Sequence, residues 1–133
     1  MAAEMRRDSP TLDTPDRIAD LLRETNRAYE VENFQIVLLN TRRKLIRVDN
    51  ISQGTLDTIL VHPREVFKPA ILESAASVIL LHNHPSGDPS PSREDLRLTR
   101  QLVDCSKLLD LRIHDHVIIG RERFVSLAQR GAI

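Results

Sequence analysis

Cysteine is nearly missing from this chain of 133 residues: Cys105 stands alone. No intrachain disulfide can form, and a reducing, cytoplasmic setting suits the protein. Tryptophan is absent, and one tyrosine and three phenylalanines are the whole aromatic complement, so the core must be built from leucine, isoleucine and valine. Neither sign of charge is in excess. Lys and Arg number 19 and Asp and Glu number 19, a balance that argues against a dedicated nucleic-acid binder, whose surface carries surplus positive charge. No apolar run approaches the roughly 18 residues that a membrane-crossing helix needs. The polar stretch from Met1 to Pro10 has neither a secretory signal's apolar segment nor an anchor's.

What is present is ordinary globular material, 41% hydrophobic and 29% charged, in the length range of one domain. Residues 1–11 read as a flexible lead and residues 12–133 as the domain. Thr14 before Pro15 is a helix start, an N-cap hydroxyl followed by Pro at the first helical position. Ile18, Leu21, Leu22, Ala28 and Tyr29 then recur at helical spacing to about Glu30. Phe34–Leu39 and Leu45–Ile51 form a predicted hairpin around Asn40–Lys44, with Arg42, Arg43 and Lys44 as its solvated turn. Thr58–Val61 reads as a short strand. Pro63 opens a second helix, with Val66, Phe67, Ala70 and Ile71 on one face, ending near Ala76. Ser77–Leu81 is a strand running into His82, and Pro85–Pro91 is a loop. Ser92 starts a third helix with Leu96, Thr99, Leu102, Val103 and Leu109 as its buried stripe, and Cys105 within it as a packed, inert thiol. Leu111–Ile119 and Arg123–Leu127 complete the strands, separated by a turn at Gly120–Glu122. Helices interleaved with strands imply an α/β domain: a single mixed β-sheet flanked by about three helices.

The chemistry concentrates in His82-Asn83-His84-Pro85-Ser86-Gly87-Asp88-Pro89-Ser90-Pro91-Ser92-Arg93-Glu94-Asp95. Two residues apart at the end of a strand, His82 and His84 turn their rings to the same side. Asp95, in the first turn of the next helix, can add a carboxylate oxygen. Two imidazoles and a carboxylate leave the fourth position of a tetrahedral Zn²⁺ site open to water, which the metal activates near neutral pH. Such a site needs a proton acceptor, and spacing alone leaves Glu30, Glu32, Glu65 and Glu73 open.

A distant Glu, then His-x-His, seven residues, Ser, two residues and Asp resembles the JAMM motif of MPN-plus (JAB) metalloproteases. The wider string, from Gly54 through the Pro-rich loop to His116-Val117-Ile118-Ile119-Gly120, together with Glu32-Asn33-Phe34 and Leu38-Leu39-Asn40, resembles the RadC family. The similarity covers about residues 15–127. It implies a JAMM/MPN-like layering, of the kind also met in cytidine deaminases. It further implies His82, His84 and Asp95 as metal ligands, Glu32 as general base and Ser92 as a hydroxyl serving the oxyanion. The implied activity is zinc-dependent hydrolysis of a peptide or isopeptide bond. The alternative is a DNA-associated or partner-binding module with a structural or vestigial metal site. RadC-like proteins carry a helix-hairpin-helix segment upstream, and the expectation here is that too few residues precede Thr14 to hold one.

Simpler readings stand beside these. Ser92-x-x-Asp95 is also a capping box. His114 and His116 repeat the two-residue spacing on a strand, but no helix-start carboxylate follows them, so they read as structural or supporting residues, with Asp115 facing the other way. His62 reads as a helix-start residue and Asp88 as a turn former. A nucleobase deaminase would need His-x-Glu and a later Pro-Cys-x-x-Cys, which one cysteine rules out. The letters His-Asn-His are no HNH nuclease, whose residues are dispersed in another local fold.

Overall fold

Every residue of Asn33–Leu39 and every residue of Ser77–Asn83 is buried. A strand can hide all its side chains only when neighbours flank it and both faces of its sheet are covered. The computed structural model, which describes residues 9–54 and 61–133, shows how. Its helices are α1 (Pro15–Arg27), α2 (Pro63–Leu72) and α3 (Arg93–Leu109). Its strands are β1 (Asn33–Leu39), β2 (Leu45–Gln53), β3 (Ser77–Asn83), β4 (Arg112–Ile119) and β5 (Phe124–Ser126). They form one mixed sheet in the order β2-β1-β3-β4-β5, with β3 and β4 parallel and the other neighbours antiparallel. This is the expected α/β class with three helices. The strand read at Thr58–Val61 falls, but for Val61, outside the described residues.

Strand alternation sorts the aliphatic residues into two cores. Phe34, Ile36, Leu38, Val78, Leu80 and Ile113 face Val66, Phe67 and Ala70 of α2 and Leu102 of α3. Val37, Leu39, Ile79, Leu81, Val117 and Ile119 face Leu12 and, on α1, Ile18 and Leu22. Each such side chain, fully buried, stabilises the fold by about 1.5–3 kcal/mol. From Pro10 onward the chain is tied to the hairpin: Leu45 N–H donates to Pro10 O, and Thr11 bridges Lys44.

The helix faces differ in detail from the periodic reading. On α1, Ile18, Ala19, Leu22 and Asn26 point inward while Leu21 is exposed. The helix stops at Arg27, so Ala28 and Tyr29 leave its stripe. Ile71 is 57% exposed, and α2 ends at Leu72, closed by Ser74 at φ 52°. On α3 the buried face is Asp95, Thr99, Leu102 and Ser106, with Val103 packed beside it, while Leu96 and Leu109 face outward. Apolar spacing misreads this helix because its inward face is largely polar. Thr14 caps α1, accepting from Arg17 N–H. His62 is the N-cap of α2 but makes no side-chain capping bond.

Two features of β4 matter further on. Val78 pairs with Ile113 and Ile79 with Asp115, so His114 is an extra residue in a bulge. The bulge reverses the alternation and puts Ile113 and His116 on one face. Asp115 is buried on the other, where Oδ1 accepts from His116 N–H (2.7 Å) and Ala128 N–H (2.9 Å) and Oδ2 from the Ser126 hydroxyl (2.5 Å). This carboxylate fastens β5 and the segment after it to β4.

Replacing Asp115 by Ala leaves three donors unpaired at about 1–3 kcal/mol each, so denaturant unfolding of Asp115→Ala is expected to show a loss of about 3 kcal/mol or more. His114 has its pKa lowered to about 4, by burial first and then by the charges of Arg43 and Arg112. An unfolded histidine titrates near 6.5. The native state therefore resists the proton that the unfolded chain accepts, and stability present above that pH is lost as pH falls towards 4. His114→Gln is expected to narrow the gap between unfolding midpoints at neutral pH and at pH 4. An unchanged gap would remove His114 from the acid response.

Candidate metal centre

The parallel pair β3 and β4 requires a crossover, and α3 supplies it. The chain leaves the carboxyl end of β3 through His84–Ser92 and enters α3 beside that same end, the usual place for a site in an α/β sheet. His82 continues the column of Val78 and Leu80 and is buried, 6.2 Å from the Phe34 ring centroid. His84 follows past the end of the strand, its ring 4.7 Å from that of His82 and nearly perpendicular to it.

Asp95 enters from α3. Ser92 Oγ accepts from Asp95 N–H (3.0 Å), and Asp95 Oδ2 accepts from Ser92 N–H (2.7 Å), a complete capping box. The capping box is thus present, and it holds the Asp95 carboxylate beside the histidines. Oδ1 lies 3.1 Å from His82 Nδ1, and Oδ2 lies 3.2 Å from His84 Nε2. Glu32, fifty residues from His82 in sequence, reaches the remaining nitrogen of that ring, with Oε2 3.3 Å from His82 Nε2. Glu32, His82 and His84 each offer a ligand atom within 4.8 Å of the others.

Proton counting shows what this cluster lacks. His84 Nδ1 faces the carbonyl of Asp88 at 2.9 Å and so must be the protonated nitrogen. Its Nε2 then turns a lone pair towards a carboxylate. His82 has a carboxylate at each nitrogen but, when neutral, only one N–H. His82 Nδ1 and Asp95 Oδ1 are close but not in line, and neither has a hydrogen-bond partner. Burying them so is costly unless a proton or a metal ion joins them.

The acid–base behaviour shows the same cluster drawing protons to its histidines. Burial pulls the His82 pKa down, yet Asp95 and Glu32 outweigh it and leave the ring more basic than usual. For His84 burial is again opposed, by Asp95 and the Asp88 carbonyl, with the same net direction. Burial disfavours the Asp95 charge, but His82, His84 and the Ser92 N–H hold its pKa well below the carboxylate range. Two imidazole nitrogens and carboxylate oxygens are a good donor set for a divalent transition metal.

The neighbouring groups fix these side chains. Asp88 is a turn former, accepting from Ser90 N–H and Oγ–H, and its carbonyl orients His84. Gly120 lies under the loop, where a Cβ would sit 2.3 Å from Gly87 O. Thr99 Oγ1 donates to Asp95 O (2.7 Å) and meets His116 Nδ1 at 2.5 Å. His116 is fully buried, 5.9 Å from the His82 ring, with its pKa lowered to about 3 by burial and then by His82. The bulge leaves His114 outside the cluster, beside Asp13 and Arg43. A cleft of about 100 Å³ opens along His84 between Tyr29 and Arg121.

Sequence reasoning passed over Asn83, Thr99 and Gly120. Thr99 was detectable as a hydroxyl one turn beyond Asp95. Asn83 was detectable only as a buried amide needing partners on the face away from the histidines.

Comparison with known proteins agrees with this geometry. Residues 12–132 match the family described as RadC-like JAB domain. A UPF0758 protein of Caldanaerobacter subterraneus subsp. tengcongensis is 50% identical over 118 residues, covering 89% of this chain and 51% of that protein. One from Alkaliphilus metalliredigens is 50% identical over 117 residues, covering 88% and 50%. One from Bacillus mycoides is 47% identical over 120 residues, covering 90% and 53%. The chain thus spans about half the length of the curated relatives it matches. Among the described residues, no helix is long and apolar enough to cross a membrane.

His114 should separate cleanly from His82 and His84 in metal content. His82→Ala and His84→Ala are expected to abolish binding of added Zn²⁺, while His114→Ala retains it at wild-type stoichiometry by elemental analysis. Equal loss in all three variants would contradict the separation created by the bulge.

Proposed function

The chain belongs to the RadC-like JAB domain family, and from that premise we propose that it is a metal-dependent hydrolase, a Zn²⁺ peptidase or isopeptidase. The observation that carries the reading is the meeting of two imidazoles and two carboxylates with too few protons between them. Either two extra protons or one cation relieves that shortage, and only the cation makes the arrangement useful at neutral pH.

In this reading His82, His84 and Asp95 hold the metal and Glu32 does not. Asp95 is almost fully buried, fixed by its cap and left with a bare Oδ1. Glu32 precedes β1 and is partly open to solvent, with its side chain 24% exposed. A bound Zn²⁺ would supply Lewis acidity, polarising a carbonyl and making water a stronger nucleophile.

The chain's own groups do the rest. Glu32 takes the proton of the attacking water and returns it to the leaving amine. Ser92 Oγ spends a lone pair on Asp95 N–H and keeps its own proton to donate to the oxygen that gains charge.

Division of labour is the test. Glu32→Gln is expected to keep its Zn²⁺ and lose roughly 10²–10⁴ in turnover of a peptide or isopeptide that the wild type cleaves. Asp95→Asn is expected instead to lose metal affinity, because a neutral amide replaces a charged ligand. Ser92→Ala should keep the metal, lose roughly 10²–10³ in rate and give up about 1 kcal/mol of stability with its cap. Full activity in Glu32→Gln, or loss of metal there with retention in Asp95→Asn, would overturn the assignment.

A further inference from the structure

Asn83, between the two histidines, has no part in the chemistry described so far, yet it is 3% exposed. Strand alternation takes it off the face that carries both imidazoles. Pairing between β1 and β3 ends at Phe34 and His82. One residue further the backbone ladder stops, and the Asn83 side chain replaces it. Its Oδ1 accepts from Asn33 N–H at 2.6 Å, and its Nδ2 donates to Val31 O at 3.1 Å.

A carboxamide carries the same donor and acceptor as a peptide group. Asn83 therefore adds one more rung to the ladder, made by a side chain. The two backbone groups it grips lie on either side of Glu32. Three further bonds brace the segment. Gly54 N–H donates to Glu32 O (2.8 Å), Asn33 Nδ2 to Val31 O (2.9 Å) and Asn50 Nδ2 to Asn33 Oδ1 (2.8 Å). Among the described residues, it is Asn83 that ties the backbone of this segment to the strand carrying the histidines, beyond the last β1–β3 pair.

We propose that Asn83 is the positioning residue for Glu32: its amide clamps Val31 and Asn33 to β3, so that the intervening carboxylate is delivered to Nε2 of His82. The role rests on Glu32 being the proton acceptor. It explains why an amide stands between the two histidines, since Ala or Leu supplies neither bond and Asp lacks the donor.

The test reads the position of Glu32 without requiring turnover. In ¹⁵N-labelled, metal-free protein at one fixed pH, Glu32→Ala defines the change in the His82 Nε2 resonance when the carboxylate is removed. Asn83→Ala is expected to reproduce at least half of that change although Glu32 is still present. The double variant should add nothing, and amide exchange at Asn33 should accelerate. Asn83→Asp, which is isosteric and keeps one bond, should fall between, and it carries the comparison if the Ala variant does not fold. A His82 resonance that stays at its wild-type position in the folded Asn83 variants would overturn the proposal.

With Zn²⁺ added and a mixture of fluorogenic peptides as probe, Asn83→Ala should lose roughly 10–10² in kcat, with KM and bound zinc unchanged. A wild-type kcat in that variant would also overturn it. If the wild type cleaves none of the peptides, the hydrolase reading fails while the resonance comparison still decides the role of Asn83.

Discussion

Two imidazoles and two carboxylates meet at the carboxyl end of β3 with more lone pairs than protons, and the surrounding structure is what keeps them from relaxing apart. In water such groups would turn away and solvate. Here His82 is locked in a fully buried strand, and Asp95 is locked in the first turn of a helix. The negative charge of Asp95 sits where the backbone N–H groups of a helix start favour an anion. The fold thus holds the electrostatic mismatch in place, where added protons or a metal ion would relieve it.

Rigidity comes from polar groups that do double duty. Ser92 and Asp95 start α3 and aim a carboxylate in the same two hydrogen bonds. The Asp88 carboxylate closes a turn with Ser90, and its carbonyl selects the tautomer of His84. Gly120 lets one loop rest directly on the backbone of another, and Arg121 N–H then donates to Gly87 O. Each is a backbone-level constraint, less yielding than a contact between long side chains.

The sheet and the helices were legible because they obey simple periods: Phe34–Leu39 and Ser77–Leu81 are apolar runs of strand length, and Thr14-Pro15 and Ser92 are helix starts. The local half of the site was legible for the same reason, since His82, His84 and Asp95 stand within one strand–loop–helix unit. Legibility failed where tertiary structure overrides local pattern. Leu96 and Leu109 looked like a core stripe, but α3 spends its inward face on Asp95 and Thr99, which meet the histidines, and on Ser106, whose hydroxyl donates to Val103 O. His114 and His116 looked like a pair until the bulge turned them to different surroundings. Glu32 was one of several acidic candidates without the family resemblance, because only the pairing of β1 with β3 brings it across fifty residues.

That difference in reach bears on the order in which the molecule assembles. His84 and Asp95 are joined by a loop of about ten residues, a closure that costs little entropy and takes on the order of 10–100 ns. Glu32 arrives only when β1 has zipped onto β3, a non-local step that belongs late on the folding path. In the proposed reading, the chain would bring its metal donors together before it brings up its proton acceptor. The strand–loop–helix half of the cluster and the arrival of Glu32 are thus separate events in folding, and the second reports that the sheet has closed.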